Sequence, residues 1–211
     1  MHDKFPEITH IDQVREAIKD RPEFIEADKG DYVVFNYMVS HEDSFDCPIR
    51  RECRGIIFSK DGKVLSRPFH KFFNLGQVEA TQYHKIDWGR PHVILDKRDG
   101  SMLRPLLLNG EVRWATKMGV TEIGLMTEKF VISNPKYDDF SRLMIPAWTP
   151  IFEYTSPQNQ IVLRYPEDNL VLLAIRHTEE GWYITYPEMC RLASDYDIPV
   201  VETIDLKALI H

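Results

Sequence analysis

The 211-residue chain is poor in several features that would have settled its class at once. It has three cysteines, Cys47, Cys53 and Cys190, an odd number with no C-x-x-C pair. That speaks against a disulfide framework or a zinc site and for a reducing cytoplasm. Its longest unbroken apolar run, residues 170–175, is too short to cross a bilayer, and the N-terminus lacks the apolar core of a secretory signal. Eight histidines are scattered without H-E-x-x-H or Cys/His spacing, Ser101 stands in no G-x-S-x-G elbow, and there is no Walker-type glycine loop. Basic excess is missing too: 26 Lys and Arg against 33 Asp and Glu leave a net charge of -7, which argues against a protein that coats nucleic acid. A local basic cleft on this acidic body is still allowed. What is present, 43% apolar and 28% charged residues without repeats or long linkers, is the composition of a globular protein.

The periodicities predict an α+β chain. Ile11, Val14, Ala17 and Ile18 recur at helical spacing over 11–20, with Asp12 as a cap. Short β-rich runs follow at 32–38 and 53–59, and Asp61-Gly62 turns the chain into 64–67. Further strands are expected at 92–96 and 101–108, with Asn109-Gly110 leading into 111–117. Helices are expected at 121–133, stopped by Asn134-Pro135, and at 138–144. Strands return at 150–154, 160–164, 170–176 and 182–185; a helix then runs from Pro187 to 195, and a helical pattern begins at 204–211.

One stretch places chemistry at a strand–turn–strand junction: Lys97-Arg98-Asp99-Gly100-Ser101. A lysine beside a flexible glycine lets a phosphate-bearing ligand approach the backbone. Such an amine is a nucleophile only when neutral, which requires desolvation or cationic neighbours. Alone the pattern is short and frequent by chance, and a plain surface turn is then the better reading. Three further blocks change the weighing: Glu52-Cys53-Arg54-Gly55-Ile56, His70-Lys71-Phe72-Phe73-Asn74-Leu75, and Phe152-Glu153-Tyr154 continuing to Pro157, Asn159, Ile161 and Val162.

In this order and spacing the blocks resemble the nucleotidyltransferase superfamily of ATP-dependent ligases and mRNA capping enzymes, and more narrowly the bacteriophage T4 RNA ligase 1 family. The resemblance covers roughly residues 32–186. It implies an α+β nucleotidyltransferase (ATP-grasp-like) core of mainly antiparallel sheets with inserted helices. It also implies ATP and Mg²⁺ as cofactors, and RNA with 5′-phosphate and 3′-hydroxyl ends as substrate. Carried over residue by residue, Lys97 becomes the nucleophile that forms lysyl–AMP. Arg54 contacts the nucleotide, with a surface salt bridge to Glu52 as the alternative. Glu153 binds the ribose hydroxyls, or simply faces solvent on an alternating strand. Tyr37 lies near the adenine, or is an ordinary core aromatic. Lys71 and Lys117 serve the phosphates or later steps, and Asp99 and Gly100 complete the turn that presents Lys97. His70 is read as packing or surface.

The same resemblance exposes a gap. The family continues with a Glu-Gly strand and a Lys-x-Lys strand, whereas the single Glu-Gly here, Glu180-Gly181, lies in a turn with no Lys-x-Lys after it. Residues 1–211 are therefore expected to form the N-terminal part of an adenylation domain, incomplete at its C-terminal end, with the metal ligands beyond it. A second ligase subunit is expected to supply the missing motifs and to cover unpaired edges and an apolar face. Two alternatives remain: a capping-type guanylyltransferase using GTP, and a non-catalytic nucleotide- or RNA-binding module. The expected location is the cytoplasm, that of the host if the gene is phage-borne, with no membrane partner.

Overall fold

The computed structural model describes residues 5–205 and is built on two four-stranded antiparallel sheets. The first holds β1 (Phe24–Asp28), β2 (Tyr32–Tyr37), β3 (Ile56–Ser59) and β4 (Val64–Ser66) in sequence order. The second holds β5 (Ser101–Leu108), β6 (Glu111–Ala115), β7 (Trp148–Thr155) and β8 (Asn169–His177) in the order β6-β5-β7-β8. Helices α1 (Ile11–Ala17), α2 (Glu122–Ile132), α3 (Lys136–Met144) and α4 (Tyr186–Ser194) cover the outer faces. Among the described residues no helix is long and apolar enough to span a membrane.

Side-chain alternation explains the layering. On β2, Val33 and Phe35 point into a core shared with Ile11 and Val14 of α1, while Tyr32 and Val34 point into a layer between the sheets. On β5, Leu106 and Leu108 enter that same layer, and Leu103 points the other way, toward Trp114, Phe140 and Phe152 under α2 and α3. A register shift in the β7–β8 ladder between Ile151 and Phe152 reverses the parity of β8 beyond it. As a result Ile175 stays in the helical core, and Arg176 turns into the interior behind Glu52.

The α+β reading and its main strands and helices are reproduced, with local differences. The first helix is capped by His10, whose backbone N–H donates to Gln13 Oε1 at 3.0 Å, and not by Asp12. Strand β1 was not expected, because only Phe24 of its residues is buried. Residues 92–96 contain only an isolated bridge, Leu95 to Thr203, and 182–185 only a bridge from Tyr183 to Arg176. Residues 160–164 form no strand. The helical pattern expected at 204–211 lies mostly outside the described residues; Ile204 itself donates its N–H to Ile94 O at 2.8 Å.

Candidate active site

The centre of the site is the approach of the Lys97 turn to β7. Ladder pairing places Ser101 opposite Tyr154 and Met102 opposite Glu153. The Gly100 N–H donates to Glu153 Oε1 at 3.0 Å, so backbone and carboxylate clip the turn to the sheet. A Cβ at Gly100 would fall inside van der Waals contact of the Tyr154 carbonyl oxygen, which is why glycine must follow Asp99. Lys97 is exposed just beyond the Leu95 bridge, and its charge reaches both Asp99 and Glu153. Burial pushes the Glu153 carboxyl up to about 7, against the pull of the Gly100 N–H, Lys97 and Arg54. Glu153 therefore does not simply face solvent.

Asp99 has a different task. Its Oδ2 accepts the N–H groups of Val162 and Leu163, both at 2.6 Å, and its own N–H donates to the Tyr165 hydroxyl at 3.2 Å. Those backbone donors hold its carboxyl below the ordinary range. The apolar run at 160–164 is a loop because two of its amides are committed to Asp99, leaving Ile161, Val162 and Leu163 exposed. Asp99 thus joins two of the four sequence blocks.

Arg54 enters from the first sheet. Its guanidinium lies 4.9 Å from the Phe72 ring centroid and is near enough to Glu153 to lower it. It does not pair with Glu52. That carboxylate is buried between two guanidiniums, accepting from Arg176 at 2.7 and 2.8 Å and from Arg67 at 3.0 and 3.2 Å. Gly55, at φ +105°, backs onto the Lys117 turn, where a Cβ would stand 2.7 Å from Lys117 Cα. Lys117, exposed on that turn, is thereby brought beside Arg54.

The contact is held by a residue that sequence reasoning missed. Arg104, fully buried in β5, donates to the carbonyls of Gly55, Ala115 and Thr116 and to Ser66 Oγ at 3.2 Å. No carboxylate faces it among its recorded partners, and burial draws it down to about 9, so it stays charged at neutral pH. The available signal was its parity: in S-M-L-R-P-L-L-L it shares a face with Leu106 and Leu108.

Tyr37 and Lys71 form a second cluster, joined to the first through Phe72. The Lys71 ammonium stands 5.6, 5.6 and 4.8 Å from the ring centroids of Tyr37, Phe45 and Phe73, and its backbone N–H donates to Arg51 O at 2.6 Å. Tyr37 is half-buried at the rim of the α1 core, the packed environment expected of an ordinary core aromatic. His70 packs as expected: it lies 2.9 Å from the Tyr183 hydroxyl, and burial, then Arg176, lowers it to about 4. Beside these residues an apolar cleft of about 460 Å³ is lined by Phe69, Phe72, Val93, Leu95 and Leu173, among others. It flanks Lys97 through Leu95 and Arg54 through Phe72. The described residues do not fit a protein-built magnesium site. They contain no cluster of three or more His, Cys, Asp or Glu suited to a metal, and Asp99 and Glu153 already accept backbone amides.

A family model described as RNA ligase, of the T4 RNA ligase 1 type, matches residues 52–210. The chain belongs to this family. It is 37% identical over 159 residues to a Thermovibrio ammonificans protein provisionally named an RNA ligase, covering 74% of this chain and 42% of that protein. To RNA ligase 1 of bacteriophage TS2126 it is 30% identical over 183 residues, covering 82% of this chain and 46% of the other. The chain thus spans less than half the length of these curated relatives. An archaeal ATP-dependent RNA ligase has the same fold over 92% of this chain and 50% of its own, with a TM-score of 0.61 at 16% identity.

Proposed function

We propose that this chain carries the nucleotide-attachment centre of an ATP-dependent RNA ligase. The observation that carries the reading is the clip at Lys97: an exposed lysine on a turn held to a half-buried glutamate by the Gly100 N–H, with Arg54 facing the same carboxylate. In the first step Lys97 gives up a proton to solvent, and its neutral Nζ attacks the α-phosphorus of ATP. The bond to the bridging oxygen breaks, pyrophosphate leaves, the nitrogen gives its second proton to solvent, and lysyl–AMP remains. Arg54 and Lys117 supply positive charge where phosphate oxygens gain electron density, and Glu153 accepts from the ribose hydroxyls. The apolar cleft offers the base a flat, water-poor slot. Mg²⁺ would come with the ATP, where it would offset charge on the phosphates and the leaving pyrophosphate.

The AMP then passes to an RNA 5′-phosphate, and a 3′-hydroxyl displaces it to seal the strand. The Glu-Gly and Lys-x-Lys motifs come from protein outside residues 1–211, and in the fuller form of the proposal a second chain supplies them. The spans of the relatives support the need for more protein but do not indicate a second chain. Residues 1–211 would then be the N-terminal part of an adenylation domain at work in the cytoplasm.

Intact-mass spectrometry after incubation with ATP and Mg²⁺ tests the first step. One added AMP on the wild-type chain and none on Lys97→Ala is expected. An adduct from GTP alone would instead favour the guanylyltransferase, and nucleotide binding without an adduct the non-catalytic module. Full ligation by the chain alone would remove the second subunit.

A further inference from the structure

Residues 74–93 contain no buried side chain, yet the segment is ordered by its own hydrogen bonds. Gly76 N–H donates to Thr81 O at 2.8 Å, Lys85 N–H to Gln82 O at 2.8 Å, and Trp88 N–H to Ile86 O at 3.0 Å. It keeps two large aromatics in water: Tyr83 is 69% exposed and Trp88 43%. A single exposed aromatic needs no explanation. These two, however, are fixed relative to each other. The Trp88 indole N–H donates to Tyr83 O at 3.0 Å, and the rings stand 5.2 Å apart at 38°. His92 continues the row, 6.3 Å from Trp88. With its only donor already satisfied, the indole presents apolar faces and makes no further polar demand.

The row is balanced in charge within an acidic chain: residues 79–92 carry Lys85 and Arg90 against Glu79 and Asp87, in a chain of net charge -7. Lys85 pairs with Glu79 at 3.6 Å and Arg90 with Asp87 at 3.7 Å; both pairs are long and exposed, so a phosphate competes with them at little cost. The row also leads to the nucleophile. Lys97 lies five positions after His92, a reach of at most about 18 Å.

We propose that Tyr83, Trp88 and His92 form a stacking platform for single-stranded RNA, with Lys85 and Arg90 at its phosphates, which delivers an RNA end toward Lys97. The proposal rests on the RNA ligase reading for its substrate class and adds a site to it. Stacked aromatics flanked by cations are how proteins hold single strands without reading sequence.

The test is fluorescence anisotropy of a labelled single-stranded oligoribonucleotide, without ATP, so that binding and adduct formation fail separately. Trp88→Ala is expected to weaken binding about 5- to 150-fold, the range of one lost base stack, and Tyr83→Ala to act likewise. Trp88→Phe should retain most of the affinity, which a misfolded variant would not. RNA-dependent quenching of tryptophan fluorescence should shrink in Trp88→Phe, since Trp114 is buried and Trp148 and Trp182 are half-buried against each other and His177. Duplex RNA of the same sequence should bind more weakly. The proposal is overturned if the wild-type chain binds no single strand, if Trp88→Ala binds as wild type does, or if duplex and single strand lose equally.

Discussion

Replacing Glu52 by Gln removes one negative charge from the most enclosed ionic group in the described structure. The Glu52, Arg67 and Arg176 side chains have at most 1% of their surface exposed, and one carboxylate serves two guanidiniums. Carbonyls of Pro6, Pro68, Glu179 and Gly181 take the remaining guanidinium donors, so the amide has no free acceptor to offer in exchange. Breaking a buried pair from one side typically costs about 3–5 kcal/mol. For a chain of this size that lowers the melting temperature by about 6–20 °C. Acid should reproduce the effect in the wild type. Burial alone would raise the Glu52 carboxyl, but Arg176 and Arg67 outweigh it and hold it below the ordinary carboxylate range. A depressed carboxyl contributes stability that is complete above its unfolded value, about 4.3, and is lost as pH falls through the lower folded value. Thermal melts from neutral to acid pH should therefore show wild type converging on Glu52→Gln at the acid end. A Glu52→Gln melt within about 1 kcal/mol of wild type at pH 7 would falsify the view that this triad joins the two sheets.

Gly100→Ala should abolish adduct formation on Lys97 while costing about 1–3 kcal/mol in stability, because the added methyl forces the turn off Tyr154; mass spectrometry and thermal melts read the two. Glu153 titrates near 7, so KM for ATP should fall as pH rises through that value, and Glu153→Gln should flatten the profile. Its raised carboxyl also gives stability that is full below about 4.3 and lost as pH rises through 7; melts of Glu153→Gln should lack that decline. Asp99→Asn should release the 160–164 loop and speed tryptic cleavage after Arg164, and an unchanged cleavage rate would show that the two amide bonds do not secure it. Arg104→Met leaves carbonyls of Gly55, Ala115 and Thr116 short of a donor, at about 1–3 kcal/mol for each left unpaired. Adduct formation should fall further than in Leu106→Ala at matched stability; equal losses would make Arg104 a packing residue only.

What the sequence disclosed and what it withheld follow from the range of the interactions. Lys97, Asp99 and Gly100 were legible because a turn is local, and Asn109-Gly110 for the same reason: both residues have positive φ, +52° and +85°. Glu153 was legible only through the resemblance, and its carboxyl is raised by burial against the pull of a Gly100 N–H 53 residues away in sequence. The run at 160–164 reads as a strand by composition, yet its amides bond a carboxylate 63 and 64 residues upstream, which no propensity encodes. The alternative of a salt bridge between Glu52 and its near neighbour Arg54 is not realised: the partners of Glu52 lie 15 and 124 residues on. Burial explains that preference: an exposed Glu–Arg pair gains little, whereas a carboxylate buried at a sheet junction must find cations or lose its charge. The division leaves Arg54 unclaimed by Glu52. Its guanidinium rests on Phe72 and is near enough to lower the Glu153 carboxyl, a cation not engaged by the buried carboxylate of Glu52.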